Sequence, residues 1–281
     1  MSALVTIAAL TMREALRRRL IAAFAVISLA IVGLSAWGFD RLSHSSAMTS
    51  GEIDLAIPEA FILFMFMFSF VVALSASAIA SPSVAAEIES GVLQAVVTRP
   101  VRRSDVLLGK WLGLAAILAA YTALVCGLQV GIVWWVSGYL PPDPVTAAAF
   151  VFAEGAVLLT LVVLLSTRLS TLAAGVIGVA LFGIAWLAGV VGTLGAAFSI
   201  PAMHDAGTVA SYVLPTDGLW HAAIWYLEPS AYIAEQIAGE GGRGDPFFAA
   251  GPPSVGYLAW AAVWFVLVLL LGVISFRQRE L

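Results

Sequence analysis

The sequence predicts an all-helical integral membrane protein that crosses the bilayer six times. Of its 281 residues, 62% are apolar and only 11% are charged, whereas soluble domains carry about 25% charged residues. Uncharged, mostly apolar runs of about 18 or more residues, long enough to span a membrane, recur along the chain. Backbone groups in lipid must bond within their own segment, so these runs are expected to be helices. The predicted spans of this single membrane domain, residues 1–281, are 20–38, 59–81, 107–137, 145–166, 171–199 and 256–276.

Residues 1–19 precede the first predicted span and are expected to form a helix at the membrane interface. Apolar residues recur there at steps of three and four, while Arg13 and Arg17 fall on another face. That pattern suits a helix whose arginines lie at anionic headgroups. The alternative is a simple extension of the first span. The apolar face comprises Leu4, Ile7, Ala8, Met12, Ala15 and Leu16.

The basic residues predict the orientation. Six spans put both termini on one side, which holds eleven of the thirteen lysines and arginines. Eleven of the seventeen acidic residues fall on the other side, with Arg41 and Arg243. Because basic residues are retained in the cytoplasm, both termini are expected to be cytoplasmic, in the cell or inner membrane. On the outer side, residues 200–255 are expected to form one or two short helices before the last span.

A charged segment lies between the second and third predicted spans, on the expected cytoplasmic side. Residues 87–110 hold seven of the chain's thirty charged residues, between uncharged runs of 27 or more residues. Pro82 and Pro100 bracket a stretch that predicts a short amphipathic helix on the membrane surface. Glu87 and Glu89, two residues apart, point in different directions on a helix, which disfavours a catalytic carboxylate pair. Binding of a cytosolic partner explains the segment better.

Three motifs stand close together here: E-x-E-x-G-x-L, R-P-x-x-R and L-L-G-K. They resemble the cytoplasmic signature of type-2 ATP-binding-cassette (ABC) transporter permeases. The resemblance covers the whole chain, including the six spans and the terminal FRQREL. Within that family, the pattern is most similar to the permease of the nitrous-oxide-reductase maturation transporter and to sodium-efflux permeases. The motif residues are Glu87, Glu89, Gly91, Leu93, Arg99, Pro100, Arg103, Gly109 and Lys110.

The resemblance implies the permease subunit of an ATP-driven exporter, a homodimer docked on two copies of a separate ABC ATPase through residues 82–106. ATP and Mg²⁺ would bind to that ATPase, because this chain has no G-x-x-x-x-G-K-[ST] loop. The chain itself is then expected to be non-catalytic, without cofactor, metal or nucleic acid. The implied ATPase-coupling residues are Glu87, Ile88, Glu89, Gly91, Val92, Leu93, Arg99, Pro100 and Arg103.

Small residues spaced along the fifth predicted span let helices approach closely. They could pack within one subunit, whereas the family comparison favours a dimer seam lined by the first and fifth spans. The candidate dimer-packing residues are Gly178, Ala185, Gly189 and Gly192.

Glu154 is the one acidic residue well inside a predicted span. Intramembrane carboxylates are costly, so a polar partner on a neighbouring span or a role in transport is expected. The histidines, His44, His204 and His221, all fall on the outer side. Their spacing does not match a metal motif, so no metal site is predicted.

Two other functions compete with the permease. An intramembrane hydrolase would need a Ser–His pair, an Asp–Asp pair or a zinc motif at membrane depth. The predicted spans contain no histidine, which disfavours it. A membrane anchor or assembly factor that tethers a cytosolic ATPase without transport remains open. The sequence does not name a cargo.

Overall fold

The computed structural model describes residues 3–46, 48–91, 102–238, 242 and 244–279. Six helices in these ranges are long and apolar enough to cross a membrane, which confirms the predicted fold class. They are α2 (Arg19–Ser43), α3 (Ser50–Ala80), α5 (Arg103–Ser137), α6 (Pro144–Ser166), α7 (Thr171–Ala197) and α11 (Val255–Arg277). The shorter helices are α1 (Ala3–Leu16), α4 (Ala85–Glu89), α8 (Pro201–Val213), α9 (Thr216–Leu227) and α10 (Ser230–Ala238).

The N-terminal helix α1 is separate from the first span. Arg18 has an extended backbone, with φ −77° and ψ 134°, which interrupts the helix between α1 and α2. The apolar face of α1 packs on α5, where a β-carbon at Gly109 would lie 2.9 Å from the Ile7 side chain. At Gly113 it would meet the carbonyl oxygen of Ala8. Two glycines one turn apart therefore let α1 lie directly on the start of the third span.

The second span helix begins earlier than its hydropathy indicates. Helix α3 starts at Ser50, nine residues before the predicted span at residue 59. Thr49 and Glu52 form a capping box, in which the Thr49 N–H donates to Glu52 Oε2 at 2.7 Å. This reciprocal cap satisfies two free N–H groups at the helix end. The helix therefore extends through a polar turn that lies outside the apolar run.

Helices α3 and α6 form the centre of the subunit. Helix α3 packs against α2, α5, α6 and α7, and α6 also packs against α9 and α11. Large side chains of α3, including Phe61, Met65 and Phe68, are fully buried. Helices α2, α7 and α11 instead expose many aliphatic side chains, as expected for surfaces that face lipid or another subunit.

Side-chain caps define several of the remaining span ends. Asp143 Oδ1 accepts from the N–H of Thr146 at 3.1 Å at the start of α6. Ser170 and Ser254 accept N–H groups in the same way at the starts of α7 and α11. Gly138, with φ +72°, ends α5 in the left-handed conformation that glycine adopts freely.

Where the structure describes the chain between α7 and α11, three short helices are present rather than the expected one or two. Helix α8 folds back along α7, and α9 packs against α6. The indole N–H groups of Trp260 and Trp264 donate to the carbonyls of Tyr212 and Val213 at 2.9 and 2.8 Å. These bonds attach the end of α8 to the last span.

Candidate coupling site

Helix α4 lies in the segment for which a cytosolic partner was predicted. Residues 81–84 turn within the protein and are buried, and α4 follows at Ala85–Glu89. Gly91 then has φ +71°, and its N–H donates to the Ile88 carbonyl at 3.1 Å. A left-handed residue at this position terminates a helix, and glycine takes it without strain. This explains the glycine of the E-x-E-x-G motif.

Glu87 joins α4 to the third span. Its carboxylate forms an ion pair with Lys110 of α5. Lys110 also donates to the carbonyl oxygen of Ser83 at 2.5 Å. The Lys110 side chain is 8% exposed and that of Glu87 is 27% exposed, so this ion pair is largely withdrawn from water. The Coulomb attraction between two charges is larger in such surroundings than on the surface, and removal of one partner leaves the other charge poorly solvated.

Glu89 joins the same helix to the fifth span. Its carboxylate oxygens accept from the N–H of Thr171 at 2.9 Å and from the Thr171 hydroxyl at 3.2 Å. Thr171 is the first residue of α7, so the negative charge lies at the positive end of that helix dipole. Glu87 and Glu89 therefore point to different spans, as their spacing predicted.

A hydroxyl contact joins the turn before α4 to the fourth span. The hydroxyls of Ser83 and Ser166 are 3.3 Å apart, and both residues are buried. One five-residue helix, with its preceding turn, is thus bonded to α5, α6 and α7. A displacement of α4 would be transmitted to three spans at once.

On the same face as α4, arginine side chains bind carbonyl groups at the C-terminal ends of α6 and α11. Arg103 donates to the carbonyl oxygens of Arg277 and Arg279 at 3.1 and 2.7 Å. Arg279 donates to the Thr167 carbonyl, and Arg168 donates to the Ser275 carbonyl at 3.0 Å. These carbonyls lie at the C-terminal ends of α6 and α11, where cations are favoured. The sixth span is thereby attached to the third and fourth.

The predicted coupling residues fall into three groups. Glu87 and Ile88 are half-buried, and Ile88 packs against the core. Glu89 and Gly91 are exposed, and Arg103 binds α11 as described above. Four of the predicted residues lie outside the described residues: Val92, Leu93, Arg99 and Pro100. The coupling role of all nine stays a prediction.

The four small residues of the fifth span lie against helices of the same chain. A β-carbon at Gly178 would collide with Val162 of α6, and one at Gly192 would lie 2.9 Å from the Cα of Gly207 of α8. Gly189 contacts the carboxylate of Asp217, and Ala185 is buried beside α6, α9 and α11. These contacts favour the first of the two explanations, packing within one subunit.

Glu154 has a structural partner. The Ser69 hydroxyl of α3 donates to Glu154 Oε2 at 2.6 Å, and Glu154 is only 3% exposed. This bond joins the two central helices at membrane depth, where hydrogen bonds between helices stabilise packing. Its role in transport stays a prediction.

The three predicted outer histidines are not brought together, because His44 lies apart from the other two. His44 caps the end of α2, whereas His204 and His221 line a cavity beside α7. Among the described residues, no group of three or more His, Cys, Asp and Glu side chains is placed to hold a metal ion.

The main residue partners of this site are not apparent in the sequence. Lys110 belongs to the L-L-G-K motif, but its spacing from Glu87 does not identify it as the ion-pair partner. The sequence also does not indicate that Thr171 binds Glu89, or that Arg279 of the terminal FRQREL binds Thr167. A weak signal was present in Ser170 and Thr171, because hydroxyl residues before an apolar run are typical helix starts.

Comparison with known proteins identifies the family of this chain. No curated protein sequence matches the chain. A family model described as ABC-2 family transporter protein matches residues 3–281, nearly the whole chain. The chain therefore belongs to the ABC-2 transporter family.

Proposed function

We propose that this chain is the membrane subunit of an ATP-driven exporter, and that it forms a homodimer bound to two copies of a separate ABC ATPase. The observation that carries the proposal is the bonding of α4 to three spans through Glu87, Glu89 and Ser83. Through these contacts a displacement of α4 would move the starts of the spans, as coupling to an ATPase requires.

In this mechanism the ATPase docks on the exposed end of α4, at Glu89, Ser90 and Gly91, and on the residues that follow. Closure of the two ATPases would displace α4 together with the starts of α5 and α7. Helix α7 has 27 residues and is about 40 Å long at 1.5 Å per residue. Because it is a continuous helix, a push at Thr171 would reach the opposite face of the membrane.

ATP and Mg²⁺ belong to the partner in this proposal. Gly109 and Lys110 lie inside α5, where Gly109 packs on α1 and Lys110 is bound to Glu87. These contacts engage both residues in packing of the subunit and support the assignment of ATP hydrolysis to another chain.

The homodimer would use apolar surfaces that the subunit leaves exposed. Since Gly178 and Gly189 face inward, a seam on the fifth span has to use the opposite face of α7. That face exposes Val176, Ile184 and Leu187. Helix α2 flanks α3 as α7 does, and its exposed residues include Val26, Leu29 and Leu34.

We place both termini and α4 in the cytoplasm of a cell with this protein in its inner membrane. Three basic residues that bind the ends of α6 and α11 lie on the same face as α4: Arg103, Arg168 and Arg279. This arrangement supports the orientation expected from basic residues.

Site-directed cross-linking tests the proposal. The chain has one cysteine, Cys126, which is buried, so Cys126→Ala provides a background for Ser90→Cys on the exposed end of α4. Asp205→Cys, on exposed α8, is the matched control. After gentle purification from the native membrane, we expect the cysteine at position 90, and not at 205, to cross-link to an ATPase.

Native mass spectrometry of the same preparation should show two copies of this chain with two of the ATPase. A dimer without ATPase, in conditions that keep other transporters intact, would contradict the proposal. If the ATPase cross-links but its hydrolysis is unchanged by Glu89→Gln and no transport occurs in vesicles, the chain is a membrane anchor instead.

A further inference from the structure

A cavity of about 430 Å³ lies on the face opposite α4, between α7, α8, α9 and the start of α11. Its size is within the range of small-molecule sites. Its walls include Thr193, His204, Thr208, Asp217, His221 and Tyr257. The coupling site does not involve these residues, and nothing in the proposed function assigns them a role.

Asp217 is the acidic residue in this cavity. It is 9% exposed, and its Oδ1 atom has no hydrogen-bond partner. The carboxylate packs against the bare Cα of Gly189, where a β-carbon would collide with it. A buried carboxylate oxygen without a donor is costly. Burial accordingly raises the pKa of Asp217, although His221 opposes the shift.

His221 faces the other oxygen of this carboxylate. Its Nδ1 lies 3.0 Å from the backbone carbonyl oxygen of Asp217 and 3.5 Å from Asp217 Oδ2. A carbonyl oxygen can only accept, so Nδ1 carries a proton. The His221 Nε2 atom is buried without a partner. Asp217 Oδ1 therefore still lacks a hydrogen-bond donor.

Four hydroxyl groups of the cavity wall offer acceptors as well, whereas the Ser254 hydroxyl accepts the Tyr257 N–H and keeps its own proton. Thr193 and Ser211 each donate to a backbone carbonyl at 2.8 Å, and Thr208 does so at 3.0 Å. The Tyr257 hydroxyl donates to the Pro215 carbonyl at 3.2 Å. Each of these four hydroxyls has one proton and has already donated it, so what remains for a ligand is its oxygen lone pairs. The wall offers acceptors on several sides.

We propose that this cavity binds a primary ammonium group, held by the Asp217 carboxylate and the surrounding hydroxyl oxygens. An ammonium group supplies three N–H donors and one positive charge, which complement this wall. An anion would meet acceptors and a carboxylate. Among the described residues, no three His, Cys, Asp or Glu side chains are placed to hold a metal ion together. The ammonium group could belong to a free polyamine or to an ethanolamine lipid headgroup.

Isothermal titration of the full-length protein tests this inference without any ATPase, so its outcome is independent of the proposed function. The protein is placed in phosphatidylcholine nanodiscs and titrated with spermidine, with choline as a cation that lacks N–H donors on nitrogen. We expect spermidine to bind and choline not to bind. Asp217→Asn should weaken spermidine binding at least about tenfold, the effect of losing a charge-assisted bond.

Asp205→Asn is the matched control, because Asp205 is an exposed acid on α8. This variant should bind spermidine with the same affinity as the unmodified protein. Thr208→Val, at an exposed position, should weaken binding severalfold even if Asp217→Asn fails to fold. Nanodiscs that contain phosphatidylethanolamine distinguish the two sources of the ammonium group. If the lipid competes with spermidine and lowers its affinity, the ligand is the lipid headgroup. If the affinity for spermidine is unchanged, the ligand is the free amine.

Several results would overturn the inference. The first is equal binding of choline and spermidine, and the second is spermidine binding that neither Asp217→Asn nor Thr208→Val weakens. The third is a protein that neither binds spermidine nor retains the ethanolamine lipid. The fourth is a protein that binds Zn²⁺ but does not bind spermidine.

Discussion

The ion pair between Glu87 and Lys110 should be the strongest single link between α4 and the spans. Replacing Lys110 by methionine keeps most of its apolar stem but removes the charge. It leaves the Glu87 carboxylate beside α5 without its cation, and the Ser83 carbonyl without its donor.

The expected cost follows from burial. Removing one partner of a buried pair costs about 3–5 kcal/mol. Lys110 is 8% exposed, but Glu87 is 27% exposed and can regain some hydration. We therefore expect a loss near the lower end, about 3 kcal/mol, for Lys110→Met.

A double-mutant cycle measures the pair itself. Lys110→Met, Glu87→Gln and the double variant are unfolded reversibly in nanodiscs or detergent, and the coupling energy is taken from the four stabilities. The pair of Glu14, on α1, and Arg18, at the break after α1, is the control, since its side chains are 60% and 32% exposed. An exposed pair contributes about 0.2–1 kcal/mol.

We expect a coupling energy of about 2 kcal/mol or more for Glu87 and Lys110, well above that of the control pair. ATP hydrolysis by the bound ATPase should also lose its response to transport substrate or membrane environment. A coupling energy equal to that of Glu14 and Arg18 would refute the argument that burial makes this pair a firm link.

Three further results are expected. Gly91→Ala places a side chain at φ +71°, which should destabilise the end of α4 by about 1 kcal/mol. Cross-linking of the cysteine at position 90 to the ATPase should therefore fall. Gly91→Asn should restore part of the cross-linking. Gly113→Val should displace α1 and speed tryptic cleavage after Arg13, whereas Gly127→Ala, with open space around it, should not. Burial raises the pKa of Glu228 from 4.5 to about 8, so the folded state holds this proton more tightly and stability should fall as pH rises from about 5 to 8. Thermal unfolding of Glu228→Gln should lack that part of the pH dependence, and an identical pH profile would contradict it.

Much of the fold was predictable because the signals are local. Each span is a continuous apolar run, and residues such as Asp143, Ser170 and Ser254 mark helix starts within three residues of the bonds they form. The start of α3 was missed because its capping box lies in polar sequence, outside the apolar run. Hydropathy detects the part of a helix that lies in lipid and not the part that extends beyond it.

The candidate site was predictable only in part. The motif identified Glu87, Glu89 and Gly91, and the positive φ of Gly91 gives that glycine a physical reason. The sequence did not show that Glu87 binds Lys110, 23 residues away, or that Glu89 binds Thr171, 82 residues away. Such pairs depend on how the spans are arranged around α3.

By itself, the sequence determined that this protein is a bundle of six membrane helices with a charged segment between the second and third. Those features follow from hydropathy, charge and capping, which act over a few residues. Only the tertiary structure decided that Gly178 and Gly189 face their own subunit and that Asp217 and His221 share a cavity. Helix rotation and pairing are set by packing between distant segments, and an apolar run is nearly equally apolar on all its faces.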